Sequence, residues 1–102
     1  MAWKIVDQES ISIYIYEYKA KIEKVEVPAS VKVNETFKIK VSFSIGLGGT
    51  YRIRVHLFGR DWYWPDSSGT YLNPGTYERE VSVTAPSNPG TYTGTVYIER
   101  YE

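Results

Sequence analysis

The run Phe37-Lys38-Ile39-Lys40-Val41-Ser42-Phe43-Ser44-Ile45 is the clearest strand of the chain. Its odd positions are apolar and its even positions are Lys or Ser. Successive side chains of a strand point to opposite faces, so this run reads as a strand with one buried face and one wet face. Tyr51-Arg52-Ile53-Arg54-Val55-His56-Leu57-Phe58 repeats the pattern, with odd positions inward and Arg52, Arg54 and His56 outward. Gly46-Leu47-Gly48-Gly49 between them supplies a turn.

Outward from this pair, period two recurs and period 3.6 does not. Residues 11–18, Ile-Ser-Ile-Tyr-Ile-Tyr-Glu-Tyr, read as a strand with two apolar faces: Ile11, Ile13 and Ile15 on one, Tyr14, Tyr16 and Tyr18 on the other. Lys21 to Val27 is the next strand, ended by Pro28. Its parity slips between Ala20/Ile22 and Val25/Val27, which predicts a bulge near Glu23–Lys24. Val31-Lys32-Val33 reads as a short strand piece and residues 59–75 as the longest irregular stretch. Asn73-Pro74-Gly75-Thr76-Tyr77 recurs as Asn88-Pro89-Gly90-Thr91-Tyr92. Pro-Gly in the centre suits a type II turn, so each copy is expected to launch a strand, Thr76–Thr84 and Thr91–Tyr101, from the same end of the stack. About seven strands in 102 residues predict an all-β, antiparallel sandwich. Residues 1–20 form an N-terminal strand or arm, and residues 21–102 form the sandwich.

Two segments resemble prokaryotic immunoglobulin-like modules of the fibronectin type III-like kind. Val27-Pro28 through Val41 is similar to their first two strands, and Thr84-Ala85-Pro86 through Ile98, with its Pro89-Gly90-Thr91-Tyr92, is similar to their penultimate strand. The resemblance implies an immunoglobulin-like β-sandwich. It does not imply one job, because such folds carry many. In such modules a last strand follows. Here the chain stops at Glu102, and the extra strand at its front is expected to fill that edge, in its own chain or in a neighbour. A solitary edge strand with two apolar faces invites aggregation, so something is expected to cover it. This points to assembly through Tyr14, Tyr16 and Tyr18.

Composition excludes much of catalysis. There is no Cys and one His, so no thiolate, disulfide or His-cluster metal site is available. Twelve basic residues balance twelve acidic ones, which argues against nucleic acid as a partner. Arg52, Arg54 and His56 form a basic stripe, with Lys38 and Lys40 expected on the adjacent strand and Glu78 and Glu80 on another; cross-strand pairing explains them. No complete catalytic set occurs, and neither an enzyme nor a cofactor is expected. Asp61, Asp66 and Ser67 are too few ligands to argue for calcium. The conspicuous local feature is Asp61-Trp62-Tyr63-Trp64-Pro65-Asp66. Trp62, Tyr63 and Trp64 there are candidate anchors for a protein partner, or stacking platforms for a carbohydrate with Arg60, Asp61 and Asp66 taking hydroxyls; otherwise the rings cap the core.

The N-terminus lacks the apolar core of a secretion signal, and no run approaches the ~18–20 apolar residues that cross a bilayer. An intracellular protein, a virion component and a fragment of a longer surface protein all fit. Asn, Gln, Met and Cys together number only five, a thermophile-like habit that would suit an archaeal virus or surface component. The reading that follows is a non-catalytic structural or protein-interaction module of an oligomer, virion or surface assembly. Carbohydrate binding is the alternative.

Overall fold

The computed structural model describes residues 1–102. It contains seven strands and no helix: β1 Ala20–Glu26, β2 Thr36–Ile45, β3 Gly49–Leu57, β4 Arg60–Trp64, β5 Thr70–Leu72, β6 Gly75–Thr84 and β7 Thr95–Arg100. Accordingly, no helix is long and apolar enough to cross a membrane. All pairings are antiparallel. One sheet has the order β1-β2-β6. In the other, β3 is central: Val55 partners both Trp62 of β4 and Val96 of β7, so β4 and β7 take opposite edges. β5 continues the β4 edge, since Tyr51 partners Thr70 as well as Arg100. The two sheets face each other with β4 beside β6 and β1 beside β7.

Alternation in the two anchoring runs places the core as expected. Ile39, Val41, Phe43 and Ile45 of β2 meet Tyr51, Ile53 and Val55 of β3, and Val81 and Val83 of β6 complete the inner layer. No polar side chain is buried with them. The bulge in β1 is also present: the register to β2 shifts between Ile22 and Lys24.

Five expectations are corrected. Residues 11–18 form no strand in this chain; they are an exposed arm, and the molecule measures 85 × 23 × 17 Å. Their alternation needs a partner to become a ladder, and no strand of the same chain lies beside them. Val31-Lys32-Val33 is likewise unpaired. Residues 59–75 are not irregular, because β4 and β5 both lie within them. The signal is a two-residue turn, Phe58-Gly59, with φ of 60° and 71°. Two consecutive left-handed residues make the type I′ hairpin that matches strand twist. The repeated Asn-Pro-Gly-Thr-Tyr segments do not start from the same end. β6 pairs its first residue with Ile45, whereas β7 pairs its first with His56, at the opposite pole. A direct connection between β6 and β7 reverses the chain and so requires this. Nor do the glycines adopt the φ near +80° of a type II turn; Gly75 and Gly90 lie at 155° and 159°.

What the repeat encodes is a tyrosine clasp. Tyr77 Oη donates to the Asn73 carbonyl and Tyr92 Oη to the Asn88 carbonyl, both at 2.7 Å. Each ring lies over its own glycine, with a ring carbon 3.7–3.8 Å from where a Cβ would stand. The same local hydrogen bond thus shapes the chain before β6 and before β7, although the second strand begins only at Thr95.

These two kinds of interaction should separate in denaturant melts. Phe43→Ala empties a fully buried site and should cost about 3–5 kcal/mol, while Tyr92→Phe removes one exposed hydrogen bond and should cost about 0.5–1.5 kcal/mol.

Candidate functional site

The arm is the most exposed apolar segment of the molecule. Trp3 is 104% exposed relative to the reference residue, and Ile11, Ile13 and Ile15 are 96%, 85% and 83% exposed. Its root is held at the pole where β2 turns into β3. The Lys19 carbonyl accepts from the amides of Gly46 and Leu47 at 2.9 and 3.1 Å. Buried Tyr51 places its hydroxyl 3.0 Å from that same carbonyl and 2.5 Å from the Leu47 carbonyl. Burial pushes the Tyr51 phenol above its ordinary value, against the pull of Arg100, so the hydroxyl stays a donor. Tyr14 Oη donates to the Gly46 carbonyl at 2.5 Å, and the Tyr14 and Tyr16 rings stack at 6.2 Å. Lys19 Nζ pairs with Glu102 Oε1 at 2.6 Å. The tyrosines singled out from sequence therefore do differ in role: Tyr14 ties the arm's base to the body, with Tyr16 stacked on it and Tyr18 half-buried against Gly46.

A groove opens at the opposite pole. It has a volume of about 630 Å³ and lies between the segment after β1 and the segment before β7. Val27, Phe37, Ile39, Leu57, Phe58 and Val96 are among its apolar lining. It exists because β1 pairs only with residues 40–45 of β2, leaving the first part of β2 uncovered on that side. Phe58 helps form its floor despite a left-handed backbone that costs a bulky residue of order 1 kcal/mol; its ring meets Phe37 and Tyr92 edge-on at 6.2 and 5.1 Å. Sequence reasoning missed this residue by ending β3 on it. The two-residue spacing between Leu57 and Arg60 was the available signal.

The aromatic segment is a strand, not a loop tip. Trp62 and Trp64 project to the same side, as alternation requires, and that side packs against the core. Trp62 Nε1 donates to the Leu57 carbonyl at 3.1 Å. Arginines take up ring faces: Arg60 lies 4.2 Å from the Trp62 ring, Arg79 lies 5.3 Å from Trp64, and Arg52 lies 4.7 Å from Tyr63. Asp61 and Asp66 serve separate ends. Asp61 Oδ1 lies 2.9 Å from His56 Nδ1 and 3.3 Å from Arg54. Asp66 Oδ1 accepts from the amides of Ser68 and Gly69 at 2.8 and 3.1 Å, closing the turn before β5.

The outward basic stripe is neutralised across strands. Glu99 of β7, unremarked in the sequence, accepts from Arg52 and Arg54 at 2.9 and 3.0 Å through one oxygen. Lys38 and Lys40 do not lie beside this stripe; they belong to the other sheet, where they pair with Glu80 and Glu78. Run parity alone could not assign strands to sheets. No cluster of three or more His, Asp or Glu stands together as a metal site would need.

No family model, curated protein or solved structure matches this chain.

Hydrogen bonds from Arg54, then Arg52, hold the Glu99 carboxyl below the usual carboxylate range, and those from His56, then Arg54, do the same for Asp61. A carboxylate depressed in the folded state stabilises above its unfolded pKa, about 4, and that stability is lost as pH falls through the lower folded value. The thermal midpoint should therefore be level from neutrality to about pH 5 and fall below about pH 4. Glu99→Gln should lower the plateau by a few degrees and flatten the acid limb. Equal acid limbs in both proteins would show that the pairing is energetically idle.

Proposed function

We propose that this protein is a non-catalytic structural module of a larger assembly, built on an immunoglobulin-like sandwich. The fold assignment is supported by the strand order, β1-β2-β6 facing β7-β3-β4, which matches the A-B-E and F-C-C′ arrangement of that class. Tyr92 adds to it. Its bond to a carbonyl four residues upstream, ahead of β7, is similar to the tyrosine corner of immunoglobulin-like domains, although Tyr77 makes the same bond at β6.

The observation that carries the assembly reading is the arm. Ile11, Ile13 and Ile15 lie in water on one face of an extended segment. Covering each would contribute about 1.5–3 kcal/mol, before the cost of ordering the arm. Water-exposed apolar surface on that scale marks an interaction site. Partner residues are therefore expected along the arm, whereas Trp62 and Trp64 serve the core of their own domain. The sugar-binding alternative has weaker support, since the rings it would use are packed inward or faced by arginine.

Sedimentation velocity over a hundredfold concentration range tests the proposal. The full chain should move to species larger than a monomer as concentration rises. A folded monomer throughout would count against assembly by this chain.

A further inference from the structure

We propose that the arm of one copy inserts as a strand along the free edge of β7 in the next, with Ile11, Ile13 and Ile15 facing its core. This rests on the assembly reading above and gives it a partner, a site and a direction. The receiving edge is open: β7 is laddered to β3 alone, and no other strand of residues 1–102 lies along its outer side. Beside the start of β7 the core is also open, at the groove lined by Val27, Phe37, Ile39, Leu57, Phe58 and Val96. Backbone amides and carbonyls on the edge ask for a strand, and the apolar groove asks for side chains of one parity.

The arm supplies both. It belongs to no strand of its own chain and is apolar at every odd position from Ile11 to Ile15, with Ser12 and Tyr14 between; the bond from Tyr14 Oη to the Gly46 carbonyl opens as the arm inserts. Inserted with the odd face inward, it would place isoleucines over the groove and leave serine and tyrosine outside. Its length suffices. Ile15 and Ile11 stand four and eight residues from the Lys19 anchor, about 13 and 26 Å when extended, which brings them to the groove of a copy stacked on that pole.

Direction selects a second copy rather than the same chain. The arm leaves from the pole where β2 ends at Ile45 and β7 ends at Arg100, while the groove opens at the pole where β7 begins. Folded back on its own body, the arm would run parallel to β7, and it would have to reverse at Lys19, which Gly46 and Leu47 hold. Projected into a copy stacked beyond its own pole, it enters at the groove and runs antiparallel to β7, as every other pair in this fold does. Donor and acceptor surfaces then lie at opposite ends of each copy, a heterologous contact that propagates into a linear chain unless it closes into a ring.

The chain has no cysteine, so single thiols can be placed without background. Ser12→Cys marks the arm's outward face, Thr95→Cys the free edge of β7, and Glu80→Cys the outer face of the other sheet as a control. Each full-length variant is prepared alone, then mixed in pairs and treated with a short thiol–thiol cross-linker. The expected result is a Ser12→Cys/Thr95→Cys heterodimer at least tenfold more abundant than the Ser12→Cys/Glu80→Cys product. Adding Ile13→Asp to the arm variant should cut that heterodimer at least tenfold while leaving its circular dichroism unchanged, because Ile13 touches nothing in its own domain's core. Association that persists without the arm–β7 product, or that yields only arm–arm dimers, overturns strand donation and leaves the assembly reading standing. Monomers at every concentration overturn both.

Discussion

The contact between the inner faces of β2 and β3 is the constraint on which the rest depends. Each strand turns every second side chain inward, and those side chains are almost all fully removed from water. A one-residue slip in either strand would put lysine, serine or arginine into that layer. Register across the whole domain follows. β6 must align its Val81 and Val83 with the same layer, and β1 must accept a bulge to set Val25 opposite Val41 as well as Ile22 opposite Phe43.

Once that layer is set, the poles acquire different characters. One is tied shut by backbone and tyrosine hydrogen bonds around Lys19, Gly46 and Tyr51. The other is tied on one side by backbone bonds from Asn34 to Pro86 and from Ala85 to Glu35, and is otherwise closed by rings, with Phe58 held in a left-handed turn against Phe37 and Tyr92; it remains grooved beside β7. The chain leaves its arm at the tight pole and its gap at the loose one. An apolar arm and an apolar gap at opposite ends of one body are the geometric basis of the linear assembly proposed above. The charged outer faces contribute differently: half-buried Glu99 cancels the basic stripe of Arg52 and Arg54, while the exposed lysine–glutamate pairs of the other sheet are worth little individually.

Much of this was legible in the residues. The alternating runs at 37–45 and 51–57 declared their inward faces, and the slip near Glu23 declared the bulge. The repeated Asn-Pro-Gly-Thr-Tyr announces a reused local device, but Pro-Gly points to a type II turn that the backbone does not form. The tyrosine four residues after the asparagine closes it, rather than glycine in a left-handed turn. The tryptophans of 61–66 drew attention for rarity, and rarity does not distinguish a ring that caps a core from one that waits for a ligand. Glu99 and Phe58 carry no local signal of their contacts, because Glu99 meets its arginines on β3 and Phe58 meets Phe37 and Tyr92 from segments distant in the chain.

Alternation along the chain is enough to show that it is β-structured, which face of each long strand is buried, and that residues 11–15 carry an apolar parity in want of cover. Local alternation suffices for these, since side-chain direction in a strand depends only on position. Tertiary structure alone decided which strands share a sheet, that Lys38 and Arg52 stand on different faces of the molecule, and that the arm and the groove lie at opposite poles. Those are relations between segments far apart in the chain, set by antiparallel pairing and by how two sheets close on one apolar layer.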